Sequence, residues 1–135
     1  MMRSSLRRLQ KAKKTEKITG KSWAVLKYED VKKEVEGGDE SAKTKLAWLK
    51  LSGLGGAEKD EDCAVVLLEE RVKEADDEAM WMLGVCNEYG IGMEQNIERA
   101  EDLYKQSSEK GNGIGMFFVV RGGDGRGSGK KMYRL

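Results

Sequence analysis

Residues 42–56 read AKTKLAWLKLSGLGG, and residues 79–93 read AMWMLGVCNEYGIGM. The two stretches align without a gap at a separation of 37 residues. The aligned pairs are Ala42 with Ala79, Leu46 with Leu83, Ala47 with Gly84, Gly53 with Gly90 and Gly55 with Gly92. Further on, Ala64 and Ala100 are 36 residues apart, so the two connecting loops differ in length by one residue. Self-similarity at such a period predicts a stacked repeat architecture.

Each unit has the pattern of two helices joined by a turn. In the second unit, Ala79, Leu83 and Cys86 recur at a spacing of three to four residues, which is typical of an amphipathic helix. Acidic residues precede this helix and glycines follow it, as expected of its two ends. Asn96 then predicts the start of a second helix, whose inner stripe would be Ala100, Leu103, Tyr104 and Ser107. The first unit follows the same scheme, with Asp60 and Asp62 before its second helix.

The small residues Ala47 and Gly84 fall in the middle of the first helix of their units. A glycine inside a helix costs about 1 kcal/mol relative to alanine, so its presence needs a compensating contact. We therefore expect a second helix to approach closely at this position.

These positions resemble the Sel1-like repeat family, whose motif combines spaced alanines, a leucine–glycine pair, two loop glycines and a second helix closed by Gly-Asn or Gly-Asp. The residues of the clearest copy that match are Ala79, Leu83, Gly84, Gly90, Gly92, Met93, Asn96, Arg99, Ala100, Leu103, Tyr104, Gly111 and Asn112. Asn87 stands where the family usually has Tyr, and Ser107-Ser108 replace an alanine pair.

The resemblance implies an all-α fold, a short right-handed α-solenoid of helix–turn–helix repeats. It predicts a repeat region over 22–121, with its clearest units at 42–75 and 79–112. The first unit is more degenerate, with Ala75 in place of the closing glycine. Residues 31–39 look like the end of the second helix of a preceding unit. Residues 115–120 look like the first helix of a following one, with Gly115 at the alanine position and Val119 at the leucine position.

Composition excludes several kinds of active site. The 135 residues contain no His and only two Cys, which excludes imidazole-based nucleophile activation, His zinc sites and a four-Cys zinc site. Residues 121–131, RGGDGRGSGKK, do not have the spacing of a phosphate-binding loop. The acidic clusters at 60–62 and 76–78 stand at helix starts, where capping explains them. We expect no catalytic residues, no metal and no cofactor, and hence not an enzyme.

Cys63 and Cys86 are expected to be small buried side chains. The repeat model would bring them within about one helical turn, but disulfide geometry is demanding. The resemblance adds that Sel1-like proteins with helix-bridging disulfides carry a pair of Cys in each unit, which this chain does not. Free thiols in a reducing compartment are the expectation.

The near-neutral chain has an acidic centre between two basic tails. Net charge is +7 over residues 1–21, −8 over 29–78 and +4 over 113–135. Residues 1–21 form the N-terminal tail, for which three alternatives stay open: a targeting peptide, an arm for nucleic acid or an anionic surface, and an inert tail. Residues 122–135 form a Gly-rich basic tail. No transmembrane run is present, and a cytoplasmic location is expected, or a mitochondrial one if residues 1–15 are a presequence.

The resemblance implies a non-catalytic adaptor or scaffold that binds another protein or peptide on the concave face of the solenoid. Equivalent positions of the two first helices are the candidates there: Lys45, Trp48, Ser52, Met82, Val85 and Tyr89. For Trp48 and Val85 a place in the core is an equal alternative. A solenoid that stops within a unit exposes an apolar end, here Met116, Phe117 and Phe118, to a partner or a second copy. A nucleic-acid-associated protein that binds through both tails is the second, less favoured hypothesis.

Overall fold

The computed structural model describes residues 23–122, which form six α-helices and, within that range, no strands. A short 3-10 helix, Trp23–Val25, precedes them. The helices are α1 (Tyr28–Glu36), α2 (Ala42–Ser52), α3 (Glu61–Lys73), α4 (Asp77–Tyr89), α5 (Ile97–Glu109) and α6 (Gly113–Gly122). Each helix packs against the next, which confirms the predicted all-α helical-repeat solenoid.

The helices group into two complete units and two half-units. Helices α2 and α3 form the first unit, and α4 and α5 form the second. Helix α4 also contacts α2 and α6, so the first helices of successive units lie side by side. Helix α1 packs on α2 as the second helix of a preceding unit, and α6 packs on α4 and α5 as the first helix of a following one.

Polar side chains cap α3 and α5 at the predicted positions, and Asn112 caps α6. Asp60 Oδ1 accepts a hydrogen bond from the amide of Cys63 at 3.1 Å, and Asn96 Oδ1 accepts one from Arg99 at 3.0 Å. Asn112 Oδ1 accepts from the amides of Ile114 and Gly115, both at 2.9 Å. Each cap satisfies backbone N–H groups that a helix start leaves without an intrahelical partner. The hydrogen bond at Asp60 confirms capping as the role of that part of the first acidic cluster.

Asp76 joins the two units. Its Oδ1 accepts from the amides of Glu78 and Ala79 at 3.0 and 3.2 Å, which caps α4. Its Oδ2 accepts from Thr44 Oγ1 on α2 at 2.6 Å and from Arg71 Nε on α3 at 3.2 Å. One carboxylate therefore fixes the start of the second unit against both helices of the first.

The turns before α2, α4 and α6 each contain a residue with a left-handed backbone. The φ angles are 99° at Gly38, 62° at Ala75 and 88° at Gly111. Ala75 is the only non-glycine residue with positive φ in the described part of the chain. An L residue in this region costs roughly 1–2 kcal/mol, whereas glycine adopts it freely. The degenerate closing position of the first unit therefore carries backbone strain.

Ala75→Gly is expected to stabilise the protein by about 1 kcal/mol, because relief of the left-handed backbone exceeds the extra unfolded-state entropy of glycine. Urea unfolding followed by circular dichroism measures the change. The neighbouring substitution Glu74→Gly is the matched control: Glu74 has φ −92°, so glycine there should destabilise. Equal loss of stability in both variants would contradict the assignment of strain to Ala75.

Gly84 lies directly under the ring of Tyr104, which confirms the predicted close approach of α4 and α5. A Cβ atom added to Gly84 would lie 2.6 Å from Cε1 and 2.8 Å from Cδ1 of Tyr104. In the first unit the aligned residues are Ala47 and Leu68. Compared with the first unit, the second unit thus has a smaller residue on its first helix and a larger residue on its second helix.

Gly84→Ala is expected to destabilise the protein by about 1–2 kcal/mol, because overpacking against the Tyr104 ring exceeds the gain in helix propensity. In a Tyr104→Leu background, which reproduces the pair of the first unit, the same substitution should become neutral or stabilising. A double-mutant cycle from urea midpoints gives the coupling energy. Additive effects would show that the ring and the missing Cβ are energetically independent.

Candidate protein-interaction surfaces

The six predicted concave-face residues lie on α2 and α4, which contact each other, but only half of them are accessible. Lys45, Ser52 and Tyr89 are half-buried. The side chains of Trp48, Met82 and Val85 are buried, and a role for these three in partner binding stays a prediction. For Trp48 and Val85 the structure selects the alternative of a core position.

Two packing features explain this burial. The ring of Trp48 meets that of Trp23, in the 3-10 helix before α1, edge to face at 6.0 Å. Helix α4 is flanked by α2, α3, α5 and α6, and ten consecutive residues from Ala79 to Glu88 are buried. Helix α4 is thus enclosed by four neighbouring helices, and Met82 and Val85 lie in the core.

A buried polar cluster, centred on Glu88, joins the second unit to α6. The Glu88 side chain is only 4% exposed. Its Oε1 accepts a hydrogen bond from the Tyr104 hydroxyl at 2.6 Å and forms an ion pair with Arg121 Nη2, also at 2.6 Å. Arg121 Nη1 reaches the hydroxyl oxygen of Tyr89 at 3.3 Å, and its guanidinium lies 4.8 Å from the centre of the Phe118 ring. The cluster therefore connects three helices through one carboxylate.

This environment changes the chemistry of the Tyr104 hydroxyl. Burial, followed by the negative charge of Glu88 and the hydrogen bond to it, raises the pKa of Tyr104 well above its usual value. The hydroxyl therefore stays protonated and donates to the carboxylate. The cavity beside it, between α5 and α6, has a volume of about 20 Å³, room for one water molecule. The cluster holds α4, α5 and α6 together through Glu88, Tyr104 and Arg121.

Glu88 and Arg121 are not among the predicted site residues, although the repeat alignment contains a signal for both. Glu88 is aligned with Leu51 of the first unit, and Arg121 is aligned with Val85. Each is a charge at a position where another unit has a buried aliphatic residue. A charge that replaces an aliphatic residue in an aligned repeat indicates a buried ion pair, because a charge is rarely buried alone.

Helix α6 ends the described chain with an apolar face. Met116, Phe117 and Val120 are 48%, 58% and 62% exposed, and we call these three residues the open face. Phe118 was expected there as well, but it is 2% exposed. Its ring stacks on Tyr104 at 4.6 Å and on Trp81 at 6.1 Å, so it belongs to the core.

The two cysteines are free thiols. Cys63 is half-buried, whereas Cys86 is buried in α4. Burial, with a smaller contribution from the negative charges of Glu61 and Glu69, raises the pKa of the Cys86 thiol to about 12. A thiol with this pKa is protonated near neutral pH and is a poor nucleophile.

Several sequence predictions fall partly or wholly outside residues 23–122. The N-terminal tail and its three alternatives lie outside the described residues, and so does the Gly-rich tail from residue 123 onward. Gly122, placed in that tail by the sequence, ends α6. Among residues 23–122, no group of three His, Cys, Asp or Glu side chains could hold a metal ion. Within the same range, none of the helices is both long enough and apolar enough to cross a bilayer.

Comparison with known proteins identifies the repeat. The Sel1 repeat family model matches residues 41–70 and 77–112. The fold is similar to the crystal structure of a Sel1 repeat protein from Oxalobacter formigenes, with a TM-score of 0.60 and 26% sequence identity. That match covers 68% of this chain and 36% of the other, so this chain spans about a third of that protein's length. No curated protein matches the sequence.

Both matches fall on the helices described above. The two matched segments contain α2 with most of α3, and α4 with α5, which are the two complete units of the solenoid. Sel1 repeats generally serve as protein-interaction modules. The chain contains two Sel1 repeats and belongs to the Sel1 repeat family.

Proposed function

We propose that this chain is a non-catalytic protein-interaction module that binds a partner protein at the open face of α6. The observation that carries the proposal is the exposure of Met116, Phe117 and Val120 beside a packed core. These side chains lie within five residues of one helix and so share about one turn of surface. A contiguous exposed apolar patch on a soluble domain marks an interaction site.

The open face is rigidly supported. On the other side of α6, Phe118 stacks on Tyr104, and Arg121 pairs with Glu88. A Cβ on Gly115 would overlap the side chain of Ser107, so α6 and α5 are in close contact. An apolar surface held in place by the core needs little ordering when a partner binds, which favours affinity.

The predicted concave positions contribute a second, polar part of the proposal. Lys45, Ser52 and Tyr89 keep some exposure, and Lys45 forms an ion pair with Glu34 at 3.5 Å. We assign them to polar contacts at the rim of a protein interface, with the buried Trp48, Met82 and Val85 as supporting core. Polar rim contacts contribute orientation more than affinity.

Charge favours a protein partner over a nucleic acid for the described part of the chain. Residues 23–122 contain 22 acidic and 13 basic residues. A surface of this sign repels phosphate backbones, so nucleic acid would have to bind through the two tails alone. Two free thiols suit a reducing compartment, which supports a cytoplasmic location, with the mitochondrial alternative resting on residues 1–15.

A photo-crosslinking amino acid in place of Phe117 is expected to capture a discrete protein in cells, because this side chain is central to the open face. The same substitution at Val66, an equally exposed apolar residue on α3, is the matched control and should capture none. Crosslinked species are separated by size and identified by mass spectrometry. The same set of species from both positions would contradict the proposal.

Cys63 alone is expected to react rapidly with a disulfide reagent near pH 8, because the protonated Cys86 thiol reacts only after unfolding. Cys63→Ser should remove the fast phase, Cys86→Ser should retain it, and denaturant should reveal both thiols. Two fast phases in the native protein would mean that Cys86 is exposed and ionised.

The raised pKa of the Cys86 thiol also affects the stability of the fold. The unfolded thiol ionises near pH 9, whereas in the folded chain the pKa is about 12. The folded state therefore retains a proton that the unfolded state loses, and stability should fall as pH rises from about 9 toward 12. A Cys86→Ala variant, compared with the parent chain over this pH range, measures the contribution of this thiol.

A further inference from the structure

The open face corresponds to surfaces that are covered inside the solenoid. At the repeat separation of 36 residues, Phe117 is aligned with Trp81 and Val120 with Gly84. Trp81 and Gly84 are fully buried in α4, and Gly84 is covered by Tyr104 of α5. The described chain supplies no helix that covers Phe117 and Val120 in the same way. The second unit therefore shows which kind of element fits: a helix that runs antiparallel to α6.

Resting on the function proposed above, we propose that the open face binds an amphipathic α-helix of a partner protein, which takes the place of a second helix in the third unit. Two positions of that helix follow from the repeat, one by size and one by charge. They define a recognition pattern that differs from the sequence of α5 itself.

The first position is set by the packing rule between the two helices of a unit. The Tyr104 ring lies against Gly84, and the residues aligned with these two in the first unit are the larger Ala47 and the smaller Leu68. The aligned residue of α6, Val120, is larger than both Ala47 and Gly84. The partner helix should therefore carry a small residue, Ala or Ser, where α5 carries Tyr104, because a large residue would overpack against the valine.

The second position is set by an ion pair between the second helices of the two units. Arg99, in the first turn of α5, contacts both carboxylate oxygens of Glu69 on α3, at 2.7 and 3.0 Å. Lys105 is the residue of α5 aligned with Glu69, and it is exposed. The charge at this place is thus inverted in the second unit. An acidic residue in the first turn of the partner helix would pair with Lys105 and would also suit the helix dipole.

The charges beside Lys105 favour only one acidic residue on this side of the partner helix. Glu101 and Glu109 lie one helical turn before and after Lys105 on α5. Further acidic residues along the same side of the partner helix would face these carboxylates and be repelled. The partner is therefore an amphipathic helix with an apolar stripe, one acid in its first turn and a small residue five positions later.

Two other occupants of the open face, residues 123–135 of this chain and a second copy of the chain, fit the charges less well. The residues after Gly122 contain four basic residues and one acid, Asp124. In a second copy, helix α1 has an acidic first turn. This helix already packs on α2 of its own chain, so it is not free to cover α6 of another. Both occupants give distinct results in the test below.

The test uses two labelled peptides based on residues 96–110, NIERAEDLYKQSSEK. Both peptides carry Glu98→Gln, Asp102→Gln and Tyr104→Ala, which remove the other acid of the first turn and the acid one turn after position 99. One peptide also carries Arg99→Glu, and the control keeps Arg99. Fluorescence anisotropy against the full chain should show about fivefold tighter binding of the first peptide, the effect of one ion pair at a partly exposed site. Lys105→Glu in the chain should reverse this preference, whereas Lys110→Glu, at an exposed lysine just beyond α5, should leave it unchanged.

The open face is tested in the same assay. Phe117→Ser should weaken binding of the first peptide at least tenfold, because a central apolar anchor is lost. Val66→Ser is the matched control and should have no effect, and circular dichroism verifies that both variants fold. The inference is overturned if neither peptide binds, if Phe117→Ser leaves binding unchanged, or if Lys105→Glu does not alter the preference.

The remaining outcomes identify another occupant and also overturn the inference. If removal of residues 123–135 tightens peptide binding at least tenfold, this segment covers the open face. If the chain sediments as a dimer and Phe117→Ser dissociates that dimer, a second copy covers the open face. Specific crosslinks from position 117 without any peptide preference would leave the proposed function in place and refute only the helix pattern.

Discussion

The contact between the ring of Tyr104 and the backbone at Gly84 is the constraint on which the second half of the molecule depends. The missing Cβ at Gly84 lets α5 approach α4 closely enough for the Tyr104 hydroxyl to reach Glu88 at 2.6 Å. The same ring stacks on Phe118 at 4.6 Å, which brings α6 against the unit. A side chain at position 84 would displace the ring and, with it, both of these contacts. One glycine thus permits the arrangement of three helices.

The buried charge of Glu88 turns this packing into a specific register. A carboxylate that is 4% exposed is costly unless it is paired and hydrogen-bonded. Its two partners come from different helices, Tyr104 from α5 and Arg121 from α6. A shift of α6 by one turn would separate Arg121 from Glu88 and leave a buried charge unpaired. The first unit, with Leu51 at this position, packs without that requirement.

The repeat, its helix starts and its close approach at Gly84 could be predicted from the sequence, because each depends on residues near one another in the chain or on one fixed period. The accessibility of individual side chains could not. Met82 and Trp48 occupy positions that the resemblance places on a concave face, yet α6 and Trp23 help to enclose them. The pairing of Glu88 with Arg121 spans 33 residues, and only the comparison of aligned units, charge against aliphatic residue, indicates it.

Helix α6 is held firmly by the second unit and still exposes an apolar face. The side of α6 that faces the solenoid is satisfied by Phe118, by the close contact of Gly115 with Ser107 and by the ion pair of Arg121. The helix therefore does not need its outer side chains in order to fold. Within residues 23–122, the side chains of Met116, Phe117 and Val120 stay exposed. An apolar surface that folding does not use is available for recognition.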